Sequence, residues 1–278
     1  MTNPPPFTSA PARKALGQHF LFDPDILQRT ALAAGPVTGR HVFEVGPGPG
    51  GLTRALLDGG AQVTAIEADT RFSDALRSWP EAETEQLHIV QGDARKADYK
   101  ALHERAETTL PSMIVANLPY NVGTPLFIQW LKAGEWRGPM ALMFQKEVAL
   151  RICAQPNDTH YGRLAVLSQA VAMPHIAFTL PPGAFRPPPK VDSAVAVMLP
   201  LDEADQFDDL SALEETTAAA FGQRRKMLRS SLKPLAKRHG LDPVEWIENA
   251  GIDPSCRAET VGQNAFRRLA RTLAASSG

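Results

Sequence analysis

The 278-residue sequence has little cysteine and no long hydrophobic run. Its two cysteines, Cys153 and Cys256, lie far apart, and neither has a cysteine or histidine at a spacing typical of a metal site. They predict neither a disulfide framework nor a zinc site, and they suit a reducing compartment. No apolar run is long enough to cross a membrane, and the proline-rich start lacks the apolar segment of a secretory signal. We therefore expect a cytoplasmic monomer that binds no metal and no membrane.

A strong net charge is absent as well, because 29 basic residues nearly balance 30 acidic ones. This balance excludes a uniformly basic surface, but nucleic-acid binding depends on how charges cluster. Residues 201–215 are rich in acids, whereas residues 221–238 carry basic side chains and no acid. Such a basic run forms either the solvated face of a helix or a surface that contacts nucleic-acid phosphates.

Short apolar segments alternate with segments of helical spacing through most of the chain. We expect strands at residues 41–45, 62–66, 87–90, 112–116, 140–144 and 191–199. Strands separated by helices predict a parallel, doubly wound α/β sheet. In such a sheet the carboxyl ends of the strands meet at the edge where ligands bind.

The pattern becomes helical after residue 200. Helices are expected at residues 209–221, 223–239, 243–250 and 263–275. The expected organisation is a flexible tail (1–12), an α/β domain (13–202) and a small all-helical domain (203–278).

A glycine-rich turn, residues 44–51 (EVGPGPGG), follows the first expected strand. Gly46, Gly48 and Gly51 have the spacing of a nucleotide-binding turn, where the backbone approaches a ligand and the next helix offers unpaired N–H groups. Glu67 ends the next strand, where a carboxylate can bind ribose hydroxyls. These features fit an NAD enzyme as well as a methyltransferase, and a turn that only packs a helix on a strand is the structural alternative.

Two acidic residues favour the methyltransferase. Glu44 creates the acidic-x-Gly-x-Gly pattern typical of methyltransferases that bind the methionine end of S-adenosylmethionine. Asp93 follows the third strand, where a carboxylate can accept a hydrogen bond from the cofactor's adenine amino group. A lone aspartate at such a position is otherwise a helix cap.

The fourth strand ends in Asn117-Leu118-Pro119-Tyr120, the most specific motif in the chain. The amino nitrogen of adenine is a poor nucleophile because its lone pair is delocalised into the ring. The Asn117 side-chain oxygen and the carbonyl of Leu118 or Pro119 can accept its two N–H bonds, which directs the lone pair at a sulfonium methyl group. Proline at position 119 restrains the backbone, and Tyr120 can stack on an extracted base. A tetrapeptide of this kind at the end of the fourth strand resembles that of the amino-methyltransferases that act on adenine, and this resemblance implies methylation of an adenine amino group.

From Lys14 to Leu273 the chain resembles the small-subunit rRNA adenine dimethyltransferases, known in bacteria as the KsgA type. Residues 14–21 (KALGQHFL) resemble the family's opening Gly-Gln-Asn-Phe-Leu motif, which closes over the cofactor, although His19 replaces the asparagine. The other matching segments are residues 145–149, 161–164, 185–193 and 223–228.

The resemblance implies a Rossmann-like class I methyltransferase sheet followed by a small all-helical RNA-docking domain, with S-adenosylmethionine as the cofactor. Together with the motifs, it assigns cofactor binding to His19, Leu21, Gly46, Gly48, Glu67, Ala68, Asp93, Ala94 and Asn117. It assigns the reaction to Asn117, Leu118, Pro119 and Tyr120, with Phe185 opposite Tyr120 in the target-base pocket. A core position is the alternative for Phe185. It assigns RNA contact to Lys190, Arg224, Arg225, Lys226 and Arg229.

The implied reaction places two methyl groups on N6 of each of two adjacent adenines in the 3′-terminal hairpin loop of small-subunit (16S) rRNA, within an assembling small subunit. Three alternatives remain open. The chain could be a large-subunit rRNA adenine methyltransferase of the antibiotic-resistance type, a non-catalytic assembly or transcription factor on the same fold, or an NAD oxidoreductase. The opening motif and the Arg-Arg-Lys run favour the small-subunit type, and the intact Asn-Leu-Pro-Tyr motif favours an active enzyme.

Overall fold

The computed structural model describes residues 18–120 and 122–276. They form two compact units. The first comprises the described chain up to Ala149 and His175–Leu199, and the second comprises Leu150–Pro174 and the described chain from Pro200 onward. The second unit thus includes Leu150–Pro174, a segment that the sequence pattern had placed in the α/β domain. The expected tail, residues 1–12, and the beginning of the opening motif lie outside the described residues.

The first unit is organised around a mixed β-sheet. The strands of the described chain are β1 (Phe20–Leu21), β2 (His41–Val45), β3 (Gln62–Glu67), β4 (Leu87–Gln91), β5 (Ser112–Asn117), β6 (Arg137–Gln145), β7 (Ala172–Leu180), β8 (Phe185–Arg186) and β9 (Ser193–Pro200). Seven of them form one sheet in the order β4-β3-β2-β5-β6-β9-β7. Strands β2 to β6 are parallel, and β9 is antiparallel to β6. The order reverses beside β2, so the ends of β2 and β5 flank the expected ligand-binding crevice.

Helices connect these strands. They are α1 (Pro24–Ala31), α2 (Gly51–Asp58), α3 (Thr70–Arg77), α4 (Pro80–Glu83), α5 (Tyr99–Arg105), α6 (Gly123–Leu131) and α7 (Lys146–Cys153), which extends past Ala149. The Asp23 carboxylate caps α1 by accepting the backbone N–H groups of Asp25 and Ile26. Helix α2 begins directly after the glycine turn, which directs its free N–H groups at the carboxyl edge of the sheet.

The apolar core of the first unit lies between strands and helices. Val42, Val63 and Val115 are fully buried on central strands and pack with Leu56 of α2. Burying one such side chain contributes about 1.5–3 kcal/mol. This packing holds the carboxyl ends of the strands, where the expected site residues lie, in fixed positions.

The second unit is helical. Its helices are α8 (Arg163–Gln169), α9 (Leu210–Gly222), α10 (Leu228–Ser231), α11 (Lys233–Arg238), α12 (Pro243–Asn249) and α13 (Gln263–Ala275). Phe221 of α9 packs on Phe266 of α13, with ring centroids 5.5 Å apart. The Tyr161 hydroxyl donates to the carbonyl of Val261 at 2.9 Å. Buried contacts of this kind join residues 150–174 to the helical unit.

The basic run does not form the single helix expected over residues 223–239. Residues 224–227 form a turn, and two short helices, α10 and α11, follow. The backbone N–H groups of Leu228 and Arg229 donate to the carbonyls of Cys256 and Pro254, at 2.7 and 3.1 Å, and so do not continue helix α9. Pro234 lacks an N–H and therefore lies in the first turn of a new helix, α11, instead of extending the preceding one.

The sequence pattern missed strand β7. It lies at the edge of the sheet and contains Pro174, and proline in a β-sheet is confined largely to edge strands. Within residues 18–120 and 122–276, no helix combines the length and apolar character needed to cross a membrane. In that part of the chain, no three His, Cys, Asp or Glu side chains come together as metal ligands would.

Candidate active site

A cavity of about 300 Å³ opens at the carboxyl edge of the sheet, in the first unit. It lies where the strand order reverses, between the ends of β2, β3, β4 and β5. The expected site residues that line it are His19, Leu21, Gly46, Gly48, Glu67, Ala68, Asp93, Ala94, Asn117, Leu118, Pro119 and Tyr120. The fold therefore brings together side chains from distant parts of the sequence around one small-molecule-sized space.

The glycine turn forms one wall of the cavity. Gly46 and Gly48 have φ angles of 69° and 53°, in the left-handed region that favours glycine. A Cβ atom at Gly48 would lie 2.8 Å from the ring of Phe20, which also lines the cavity. Glycine at this position thus serves both the turn and the close approach of the β1 segment.

The Glu67 carboxylate is tied to the backbone of the same wall. Its Oε2 accepts the N–H of Gly48 at 3.0 Å, and its Oε1 accepts the N–H of Asp69 at 2.7 Å. The side chain is buried, and burial raises the pKa of Glu67 while these hydrogen bonds oppose the rise. A carboxylate held in this way retains acceptor capacity for two neighbouring hydroxyl groups.

Asp93 caps a short helical turn after β4 and is also paired with Arg95. The Arg95 guanidinium binds both carboxylate oxygens of Asp93, with Nη2 to Oδ2 at 2.7 Å. Hydrogen bonding to Arg95 lowers the pKa of Asp93 to about 2. Arg95 lines the cavity but was not among the expected site residues. An arginine two positions after the aspartate was the sequence signal that could have identified it.

Asn117 lies at the end of β5 and contacts the segment before β1. Its side-chain Nδ2 donates to the backbone carbonyl of His19 at 3.0 Å. Because the amide nitrogen is bound there, the amide oxygen Oδ1 is the part of the side chain left to accept a hydrogen bond. The contact thus fixes the orientation of the Asn117 amide.

The aromatic part of the site is formed by Tyr120 and His19. The Tyr120 hydroxyl shares a hydrogen bond of 2.8 Å with the hydroxyl of buried Ser193. The His19 ring lies 5.5 Å from the Tyr120 ring, and its Nδ1 is 2.8 Å from the carbonyl of Pro187. Since a carbonyl only accepts, Nδ1 of His19 is the donor in that bond. Both rings are therefore restrained by polar contacts.

Phe185 does not line this cavity. It is 2% exposed, belongs to the apolar core and pairs with Leu21 between β1 and β8. Phe185 thus occupies a core position, which was the alternative stated above, and it does not lie opposite Tyr120 in the cavity as expected. Phe185 supports the ribbon that carries His19 and Leu21 instead.

Glu44 is a cavity-lining residue outside the assigned set. It is 1% exposed, and its Oε2 atom has no hydrogen-bond partner within the described part of the chain. Burial raises the pKa of Glu44 to about 8. The acidic-x-Gly-x-Gly pattern identified this residue in the sequence. Only the tertiary structure shows that its Oε2 atom is buried without a hydrogen-bond partner in the described chain.

The basic residues expected to contact RNA differ in their surroundings. Lys190, in the first unit, is exposed. In the second unit, the Arg224 guanidinium binds the Glu259 carboxylate at 2.9 Å and the carbonyl of Thr159 at 2.8 Å. The remaining three, Arg225, Lys226 and Arg229, are exposed and form no ion pair within residues 18–120 and 122–276. Arg224 thus braces the unit, and the other three face solvent.

The mostly parallel sheet and the cavity where its strand order reverses define the class: a Rossmann-like methyltransferase with a helical second unit. Two solved structures share the fold. A dimethyladenosine transferase from Plasmodium falciparum has a TM-score of 0.75 at 23% identity and covers 93% of this chain and 98% of its own. The 23S rRNA methyltransferase ErmE has a TM-score of 0.62 at 24% identity and covers 92% and 99%.

The family follows from sequence. Residues 10–274 match the family described as ribosomal RNA adenine dimethylase, and the chain belongs to it. The relative from Gluconobacter oxydans, named ribosomal RNA small subunit methyltransferase A, is 51% identical over 95% of this chain and 84% of its own length. The protein of the same name from Sinorhizobium medicae is 50% identical over 94% of this chain and 93% of its own length.

Proposed function

We propose that this protein uses S-adenosylmethionine to place two methyl groups on N6 of each of two adjacent adenines in the 3′-terminal hairpin loop of small-subunit rRNA. The observation that carries this proposal is the Asn-Leu-Pro-Tyr motif, which lines the cavity at the end of β5. The names of the relatives at about 50% identity support the small subunit as the substrate. We also propose that the reaction takes place in the cytoplasm, because the proposed substrate is a small ribosomal subunit during its assembly.

The residues of the cavity fit the cofactor. The unpartnered carboxylate oxygen of Glu44 offers an acceptor for the ammonium of the methionine end. Glu67 offers acceptors for the ribose hydroxyls, and Asp93 offers one for the adenine amino group. When bound, the cofactor supplies an electrophilic methyl group on a sulfonium. The chain's own residues hold the nucleophile against it and exclude water.

The reacting amine needs two acceptors, and the structure favours a particular pair. The Pro119 carbonyl already accepts the backbone N–H groups of Val122 and Gly123, both at 3.1 Å. We therefore assign the second acceptor to the Leu118 carbonyl and the first to Asn117 Oδ1. Orientation by two fixed acceptors localises the lone pair on the nitrogen in the transition state. Tyr120 supplies the surface on which the base stacks.

Substrate docking is assigned to the exposed basic residues. Arg225, Lys226 and Arg229 are free to neutralise phosphates, and Lys190 is exposed in the first unit. RNA helices are recognised largely through shape and phosphate contacts. Arg224 stabilises the second unit through Glu259 and Thr159.

Reversing the charge of Arg225 and Lys226 (Arg225→Glu, Lys226→Glu) should weaken binding to unmethylated small subunits and flatten its salt dependence. Each phosphate contact that is lost should reduce the slope of log K against log salt concentration by roughly one. Filter binding over a range of salt concentrations measures this slope. Lys100→Glu, on an exposed lysine of the first unit, is the control. A wild-type slope in the double variant would show that the run is only a solvated surface.

Tyr120→Ala should slow the second methylation of each adenine more than the first, so that monomethyladenine accumulates. After one transfer the nitrogen has a single N–H, so one of its two hydrogen bonds is lost. Stacking, worth about 1–3 kcal/mol per base, then has a larger share in holding the base. Mass spectrometry of digested rRNA over a time course measures the two products.

Tyr120→Phe is the matched control for that variant, because it keeps the ring and removes only the bond to Ser193. This control should not accumulate monomethyladenine. Equal slowing of both steps in Tyr120→Ala would contradict the stacking role and leave the enzyme assignment intact.

The experiment that tests the proposed function is transfer of radiolabelled methyl groups to separated ribosomal subunits. We expect incorporation into small subunits that lack the modification, mapped by mass spectrometry to N6 of two adjacent adenines. Incorporation into large subunits would support the resistance-type alternative instead. Binding of small subunits without any transfer would support the non-catalytic alternative.

A further inference from the structure

Glu44 is a buried acidic residue without a counter-charge. It is the penultimate residue of β2, a strand that is buried along its whole length, and it is 1% exposed. Its Oε2 atom is shielded from solvent and has no hydrogen-bond partner among the described residues. Leaving a buried carboxylate oxygen without a partner is costly, so such an atom in a ligand cavity calls for a ligand.

The protein itself does not supply a cation to this carboxyl group. Within the described chain, Arg95 carries the one permanent positive charge that lines the cavity, and it is bonded to Asp93. After burial, Thr53 of α2 has the largest effect on the pKa of Glu44 and lowers it, whereas the acidic Glu67 on β3 has a smaller effect and raises it. Because the carboxyl group is buried without a counter-charge, its neutral, protonated form is favoured, and burial raises the pKa of Glu44 to about 8.

We infer that Glu44 exchanges its proton for the ammonium group of the cofactor's methionine end when the cofactor binds. The inference rests on the proposed function, because it requires that cofactor in this cavity. The exchange is balanced: the carboxylic acid loses its proton to solvent, the ammonium keeps its three protons, and a buried ion pair replaces a neutral acid. Binding of a cationic ligand in this way stabilises the charged carboxylate and lowers its affinity for the proton.

A comparison of two ligands distinguishes proton release by Glu44 from proton release by Glu67. S-adenosylhomocysteine carries the ammonium, whereas 5′-methylthioadenosine contains the adenine and ribose but lacks the amino-acid end. Both contact the ribose site, so a proton released by Glu67 appears with both ligands. Only S-adenosylhomocysteine should release the proton of Glu44.

Isothermal titration calorimetry at pH 7, in buffers of different ionisation enthalpy, counts the released protons. We expect about one more proton to be released with S-adenosylhomocysteine than with 5′-methylthioadenosine. Below pH 8, the dissociation constant for S-adenosylhomocysteine should decrease as the pH rises, by up to about tenfold for each pH unit. In Glu44→Gln, which keeps the shape of the side chain, the extra proton and the steep pH dependence should both disappear.

The stability of the cofactor-free protein gives an independent measurement. A carboxyl group whose folded-state pKa is raised from 4.5 to about 8 keeps a proton that the unfolded chain releases. Its contribution to the free energy of unfolding therefore falls as the pH rises from 4.5 to about 8. Glu44→Gln removes this loss, so its melting temperature should exceed that of the wild type at pH 8.5 and match it near pH 4.5.

The outcomes are distinct. Tight binding of S-adenosylhomocysteine with no more proton release than 5′-methylthioadenosine would overturn the inference while leaving the proposed function intact. Persistence of the extra proton in Glu44→Gln would overturn it as well, because the proton would come from another group. Failure of S-adenosylhomocysteine to bind the wild type would overturn the proposed function and this inference with it.

Discussion

Replacing Asn117 with alanine should reduce methyl transfer about a hundredfold or more while leaving most of the affinity for S-adenosylhomocysteine. The substitution removes Oδ1, an acceptor assigned to the reacting amine. Losing one aligned transition-state hydrogen bond costs about 3 kcal/mol. The groups assigned to the cofactor's ribose and adenine stay in place, because Glu67 ends strand β3 and Asp93 follows strand β4. Single-turnover kinetics measures the rate, and calorimetry measures the affinity.

Alanine at position 117 also removes the hydrogen bond from Asn117 to the His19 carbonyl, so a second variant is needed to separate the two effects. Asn117→Asp keeps an oxygen acceptor, removes the amide donor and adds a charge, so it should also be slow, with a rate between those of alanine and the wild type. Glu147→Gln, on the first turn of α7, is the control and should keep wild-type turnover. Near-normal turnover in Asn117→Ala would exclude the assigned role.

Replacing Glu67 with alanine should weaken S-adenosylhomocysteine binding about a hundredfold. The carboxylate is assigned to two ribose hydroxyls, and hydrogen bonds to charged groups contribute about 1.5–3 kcal/mol each. Its removal also leaves the N–H groups of Gly48 and Asp69 without their acceptor, so the glycine turn loses a restraint. Calorimetric titration of the folded variant measures the affinity.

Two controls make the Glu67 result interpretable. Glu67→Gln keeps one acceptor oxygen and should fall between the wild type and alanine. Glu83→Ala removes an exposed acid of the same unit and should bind with wild-type affinity. Circular dichroism confirms that each variant is folded. Unchanged affinity in folded Glu67→Ala would remove this residue from the cofactor site.

Much of the fold was predictable because its signals are local. The strand at residues 41–45 was predicted with its observed bounds, as was the helix at residues 263–275. The apolar strand and the amphipathic helix each show their periodicity in sequence. The basic run was the clearest error, since its helical pattern was overridden by hydrogen bonds to Pro254 and Cys256. Strand β7 was missed because its proline argues against a strand anywhere but at an edge.

Most of the residues expected at the site could be identified from the positions of their motifs in the amino-acid sequence. Gly46, Glu67, Asp93 and Asn117 each lie at or just after the end of a strand, and parallel strands bring such positions to one edge whatever the details of packing. A motif at a strand end is therefore sufficient to predict the site.

What each side chain can do at the site depends on the surroundings that the tertiary structure gives it. The tertiary structure placed Phe185 in the core, bound Arg224 to Glu259, paired Arg95 with Asp93 and left Glu44 without a counter-charge. These surroundings cannot be predicted from local sequence, because burial and solvent exclusion, which set the free energy of a charge, arise from the packing of segments distant in sequence. A motif shows which group reaches the site, whereas its surroundings decide whether that group is charged, paired or free to bind.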